Sequence, residues 1–399
     1  MMFGFIGSEQ EWRQIRSFAK TSRVVQFSKL YLDQDSDTGL DLAKTASECE
    51  AIGAVRVQHF EEFLSNSELQ AVVVGGNLAD RPERLRLLTQ QGKHCLSLHP
   101  VASNCIVYHE LAMTAADTRS VLMPWFPLRR HPAWIEFLSL CRPLDLGPLQ
   151  YIRVERSGRL ANGQLLVLKD YAEAVDLATC LTGEISEVNA TGDPSTGRLV
   201  VHHRAAAGVD CEVRLVHAMP ADGWRIHVEG TTGRVDLAID EDTGRAVLKL
   251  GESNQAREFV CGPDELVAAL FGEFVRAIAL SPHAPTWSDA VRAAELADCC
   301  QYSLGRRRAV DVYQEKRNEV ASFKGRMTSI GCGLIWLTLF LLIVVAAGKG
   351  LHVPGIDWVA IATAVIWLVF LAVQSLRWIL PGNRGDERTS LPGSITNHK

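Results

Sequence analysis

Gln91-Gly92-Lys93-His94-Cys95-Leu96-Ser97-Leu98-His99-Pro100 is the stretch whose reading decides the fold. Leu69-Gln70-Ala71-Val72-Val73-Val74-Gly75-Gly76 precedes it, an apolar run that ends in two glycines. Between them, Pro82 to Gln91 carries Leu85, Leu87 and Leu88 on one side at helical spacing, and Gly92 reads as the helix stop. A short buried strand is expected at His94–Leu98, ended by Pro100. Strand, helix, glycine stop and strand make a βαβ unit. The carboxyl edge at Leu98-His99-Pro100 is where an open α/β sheet takes its ligand.

With Gly92-Lys93-His94 and Pro100 at these positions, the stretch resembles the Gfo/Idh/MocA family of nicotinamide-dependent sugar oxidoreductases. The family carries a Glu-Lys-Pro triplet here, whose lysine touches both substrate and cofactor. Leu98 and His99 stand in place of its glutamate and lysine. Asn162–Glu184 is similar to the family's catalytic helix, with Asp176-Leu177-Ala178 and Gly183-Glu184 fixing the register. The family's aspartate then falls on Lys169 and its acid–base histidine on Glu173, four residues apart on one helix face. Arg225–Gly233 resembles a family hairpin, and the likeness extends over residues 2 to 313.

What the resemblance implies is hydride transfer between NAD or NADP and a sugar or nucleotide-sugar, with His99, Lys169 and Glu173 as the catalytic candidates. Two arrangements remain open: a rearranged catalytic trio, or a Lys169–Glu173 ion pair that closes the cleft. The cofactor-binding candidates are Gly7, Ser8, Asp33, Gly75 and Gly76. Met2–Gly7 is an apolar strand leading to the first turn, where a dinucleotide-binding loop reads G-x-G-x-x-G. This chain has Gly7-Ser8-Glu9-Gln10-Glu11-Trp12, so only the first glycine is present. Glu9 is expected to bring its charge to the phosphate position, and Trp12 its bulk. Ser8 and Glu11 also spell S-x-x-E, a box that caps a helix from within. Asp33, after a strand at Val24–Leu32, is either the ribose-binding carboxylate or part of the acidic turn Asp33-Gln34-Asp35-Ser36-Asp37.

The expected fold class is α/β: an N-terminal Rossmann-like parallel sheet (1–120), an α+β domain with a largely antiparallel sheet (121–313), and then two transmembrane helices. Pro124, Pro127 and Pro132 mark the crossover between the first two. Strands are expected at Leu149–Arg156, Ile185–Ala190, Arg198–Ala206, Cys211–Ala218, Trp224–Gly230, Val235–Ile239 and Ala246–Leu250. Helices follow at Asp264–Leu280, with Phe271, Phe274 and Ile278 at core spacing, and at Ser288–Leu304. A homo-oligomer joined through a strand edge or open face of the second sheet is implied by the resemblance.

The 399 residues exceed one ordinary core, and the formal net charge of −5 with no dominant basic block argues against nucleic acid. Ten cysteines without a C-x-x-C pair predict free thiols and no metal site, the adjacent Cys299-Cys300 not being a zinc spacing. No basic segment followed by an apolar one opens the chain, so no signal peptide is expected.

A basic linker (314–326) leads to Met327–Ala347 and Trp358–Leu380, two apolar runs each long enough for a hydrocarbon core of about 30 Å. Arg306, Arg307, Arg308, Lys316, Arg317, Lys324 and Arg326 precede the pair, and Arg377, Arg384 and Arg388 follow. The short link holds Lys349 opposed by Asp357, with Gly348, Gly350, Pro354 and Gly355 to turn it. The positive-inside rule predicts an integral membrane protein of the cytoplasmic membrane. The large domain and the polar tail (381–399) would lie in the cytoplasm, with lipid around the hairpin at 327–380. The alternative function is a non-catalytic ligand-binding or scaffold protein at that membrane face. A reporter fused near His352 should be periplasmic and one at the C-terminus cytoplasmic; the reverse pattern rejects this topology.

Overall fold

The structure, a computed structural model, describes residues 1–22, 24–33, 52–141, 146–217, 223–251, 256–281 and 283–312. The two apolar runs lie outside them. Among the described residues no helix is long and apolar enough to cross a membrane.

The first sheet has six parallel strands. They are β1 (Met2–Gly7), β2 (Gln26–Leu32), β3 (Val55–Arg56), β4 (Ala71–Val74), β5 (His94–Ser97) and β6 (Leu122–Pro124), in the order β3-β2-β1-β4-β5-β6. The order reverses between β1 and β4, so a crevice opens at their carboxyl ends, beside Gly7, Gly75 and Gly76. Among the described residues, four helices connect these strands: α1 (Glu9–Thr21), α2 (Glu61–Leu64), α3 (Arg81–Gln90) and α4 (Cys105–Thr118). Gly92 takes φ +71° just beyond the end of α3. The βαβ reading of 69–100 is thereby met. Strand β6 starts only at Leu122, because α4 runs to Thr118 and Arg119 caps it in the left-handed region at φ 56°.

After α5 (Pro132–Leu140), a second sheet is built from β7 (Leu149–Gly158), β8 (Ile185–Asp193), β9 (Arg198–Ala205), β10 (Asp210–His217), β11 (Gly223–Gly230), β12 (Arg234–Asp240), β13 (Arg245–Leu250), β14 (Ala256–Val260) and β15 (Val310–Asp311). The order is β14-β13-β12-β11-β7-β10-β9-β8-β15. Neighbours run antiparallel except β7 and β10, which are parallel. Along β7, Ile152 and Val154 are buried on the face covered by α6 (Ala172–Thr182) and α8 (Trp287–Arg306). The opposite face carries cross-strand charge pairs, Arg225–Glu155 at 3.1 Å and His227–Asp236 at 2.7 Å.

Helix α7 (Pro263–Ile278) returns to the first sheet. Phe271 and Phe274 pack there against Phe3, and Phe271 stacks on Phe18 at 4.7 Å. Trp12 belongs to this cluster. It is 1% exposed, with ring centroids 5.1 Å from Phe5 and 5.4 Å from Phe27. Trp12 therefore fills the helix–strand interface from below, where a glycine would let the two backbones approach. It does not crowd the phosphate position, contrary to the sequence expectation. Trp12→Ala is expected to cost about 3–5 kcal/mol through the cavity it leaves, read as a lower midpoint in chemical denaturation at unchanged slope.

Candidate functional site

At the carboxyl edge of the first sheet, a cavity of about 330 Å³ is closed on its far side by β7, α6 and β11. His99, Lys169 and Glu173 all line it, so the structure brings the three sequence candidates together. His99 follows β5 and is 7% exposed, its ring 5.0 Å from Phe126 and 6.0 Å from Tyr108. Neither ring nitrogen makes a well-formed hydrogen bond, although the Leu168 backbone lies close enough to act on the ring. Burial pulls its pKa from 6.5 down to about 4, against a partial upward pull from Glu173 and the Leu168 backbone. The imidazole is therefore neutral at pH 7, with one nitrogen to donate and one to accept.

The expected Lys169–Glu173 pairing does not form. Residues Leu166–Tyr171 make a π-helical turn ahead of α6, which breaks the i, i+4 register of a regular α-helix. Glu173 instead takes Arg156 of β7, Nη1 to Oε2 at 2.5 Å. Arg156 also meets Asp170 at 3.1 Å and Glu241 at 3.6 Å, and its guanidinium lies 4.8 Å from the Trp224 ring centroid. Burial alone would lower the Arg156 pKa; Glu173, Glu241 and Asp170 together raise it. Lys169 is exposed to the cavity. At another wall, Arg129 grips Asp176 through Nε at 2.7 Å and reaches Asp289 at 3.1 Å.

Sequence reasoning missed Arg156. The signal was present: it shares a strand face with Ile152 and Val154, and an arginine in a core-facing row needs partners. Trp125, Trp224 and Glu241, also in the wall, had no such signal.

At the first turn, the capping box forms as the sequence proposed. Glu9 points along α1 to Arg13, so it is not the charge at the phosphate position. Glu11 is. Its Oε2 accepts from the Ser8 and Gly76 N–H groups, both at 2.8 Å, and from Ser8 Oγ at 3.1 Å. Its Oε1 accepts from Arg81 Nη2 at 3.2 Å. A Cβ at Gly7 or at Gly75 would lie 2.7 Å from Glu11 Oε2, so both glycines make room for this carboxylate. Gly76 takes φ +82°. Asp33 is held by Arg84, at 2.7 Å and 3.0 Å, and by the Asn77 N–H at 3.1 Å. All five cofactor candidates thus meet at one crevice.

No protein-family model matches the sequence, and no curated protein sequence does. Solved structures match it in fold. A myo-inositol dehydrogenase from Corynebacterium glutamicum ATCC 13032 superposes with a TM-score of 0.65 at 17% identity, over 79% of this chain and 99% of that one. Levoglucosan dehydrogenase, in complex with NADH and levoglucosan, gives 0.66 at 16% identity, over 79% and 100%. GenD2 from gentamicin A biosynthesis, in complex with NAD, gives 0.66 at 16%, over 79% and 97%. The chain has the fold of Gfo/Idh/MocA-type dehydrogenases.

Burial also makes the site sensitive to acid. His203, hydrogen-bonded to Tyr171 at 2.7 Å, is pulled down to about 3. Both His99 and His203 take up protons more readily unfolded, so the stability they preserve is complete above about pH 6.5 and is lost as pH falls through their folded values. Asp176 acts the other way: burial raises it from 3.8 to about 6 against the pull of Arg129, so the fold gains there as pH falls. Burial lowers His94 and His131 as well and raises Asp170, so four histidines outweigh two carboxyls between pH 6 and 4. The melting temperature should drop across that window, and less steeply in His99→Asn; a flat profile for the unmodified chain contradicts this assignment.

Proposed function

We propose that the chain is an oxidoreductase that uses NAD or NADP on a sugar or nucleotide-sugar bound in the His99 cavity. The observation that carries this reading is His99 itself, a buried imidazole in the wall of a cavity of about 330 Å³ with neither ring nitrogen in a well-formed hydrogen bond. An unpaired buried polar group is costly unless a ligand completes it. The fold shared with dehydrogenases solved in complex with NADH or NAD supports the cofactor class.

The donor set at the first turn suits an anion, since the Ser8 and Gly76 N–H groups already hold a carboxylate. Those groups and Arg81 would hold the pyrophosphate, and Asp33 the adenosine ribose. When bound, the nicotinamide supplies the hydride acceptor or donor. His99 hydrogen-bonds the substrate hydroxyl, and the Lys169 ammonium polarises its oxygen in place of the family's lysine. Glu173, fixed by Arg156, keeps a negative charge near His99 that favours proton uptake there. Trp125 and Trp224 offer apolar walls to sugar C–H faces. Self-association through the charged open face of the second sheet, and anchoring by the two apolar runs, belong to the same proposal.

With a panel of sugars and nucleotide-sugars, turnover should appear as a change in nicotinamide absorbance. His99→Ala should lower it ~10²–10⁴-fold, the usual contribution of a positioned proton-transfer group. Turnover that survives His99→Ala, Lys169→Ala and Glu173→Ala together would mean that other residues carry the reaction. Sugar binding without turnover or cofactor binding would favour the non-catalytic alternative.

A further inference from the structure

We propose that Glu11 is an intramolecular stand-in for phosphate, and that it must leave the first turn before a dinucleotide can bind. This rests on the reading of the crevice as a dinucleotide site and adds the residue that limits its affinity. Glu11 Oε2 takes the two backbone N–H groups, of Ser8 and Gly76, that an anion at this turn would use. Two anions cannot share those donors.

Arg81 is the buried cation that Glu11 pairs with. It is 5% exposed, and its Nε has no partner. Its Nη groups donate to the carbonyls of Gly76, Leu98 and Pro100, so three backbone contacts keep it in place whatever Glu11 does. Glu11 is the carboxylate that neutralises it. If that carboxylate swings away, the buried guanidinium loses its nearest counter-ion and keeps only the more distant pull of Asp33, which is already paired with Arg84. A phosphate restores the balance.

Departure is open to Glu11. Its side chain is 19% exposed and lines the His99 cavity, which gives the carboxylate a route to water. Leaving forfeits the capping box and the Arg81 contact, so the occupied arrangement is favoured when no ligand is present. Apparent affinity for the dinucleotide is then the intrinsic affinity reduced by the fraction of molecules with Glu11 withdrawn. The protein would respond to cofactor concentration only where that concentration is high.

The test uses the full chain in detergent, with NADH binding followed by fluorescence and inorganic pyrophosphate binding by calorimetry. Glu11→Ala should bind NADH at least roughly tenfold more tightly than the unmodified chain, because the closed fraction is removed, and Glu11→Gln should also bind more tightly, because a neutral amide holds those donors and Arg81 less firmly than a carboxylate. Glu9→Gln, which loses only the Arg13 pair, should match the unmodified chain. Glu11→Gln retains an amide oxygen for the Ser8 and Gly76 donors, so it reports on charge even if Glu11→Ala fails to fold. Equal NADH affinity in all proteins would overturn the role of Glu11 and leave the dinucleotide reading standing. Pyrophosphate tightening in the Glu11 variants with no NADH binding anywhere would support the cradle and overturn the dinucleotide reading. Binding of neither ligand by any protein would overturn both.

Discussion

One buried guanidinium holds the site together. Arg81, in the first turn of α3, donates to the carbonyls of Gly76, Leu98 and Pro100 and pairs with Glu11. It thereby ties the carboxyl end of β4, the segment after β5 and the start of α1 into one unit. The two carbonyls it grips from the β5 side flank His99, so the orientation of the imidazole depends on it. A buried charge is tolerable only with hydrogen bonds to spare and a counter-ion. Burial lowers the Arg81 pKa, and Glu11 is the largest influence raising it again.

The same physics governs the opposite wall. Arg156 sits on the core-facing row of β7 and gathers Glu173, Asp170 and Glu241 around it. Asp170 is in turn held by the Ala161 N–H at 2.8 Å. This network fixes the position of the π-helical turn, and with it Lys169. An imidazole thus stands at the sheet edge, and an ammonium comes from the facing helix. Both walls place charge where its partners come from distant parts of the chain.

Much of the architecture was legible in the residues. The apolar runs at 2–7, 71–74 and 94–97, with Gly92 between helix and strand, specify parallel β and α elements by local preference and periodicity. Alternation in the second half specified its strands to within a few residues. The short strand at Ala256–Val260 was not seen, because it is mostly exposed and has no clear alternation. The route of α7 was not legible either. Phe271 and Phe274 read as core residues, but only the fold shows that their core is the first sheet, across more than two hundred residues of chain.

Site residues divide along the same line. The sequence by itself determined which chemical groups stand at the strand ends and that Ser8 and Glu11 cap a helix, since both follow from spacing within a few residues. Family register also brought His99, Lys169 and Glu173 to one cleft. Tertiary structure decided which charges meet. It gave Glu173 to Arg156 and Asp33 to Arg84, and it set the Glu11 carboxylate, not that of Glu9, against Gly76. The reason is that a hydrogen bond to a buried charge is chosen by distances of about 3 Å between segments far apart in sequence, and no local pattern encodes those distances.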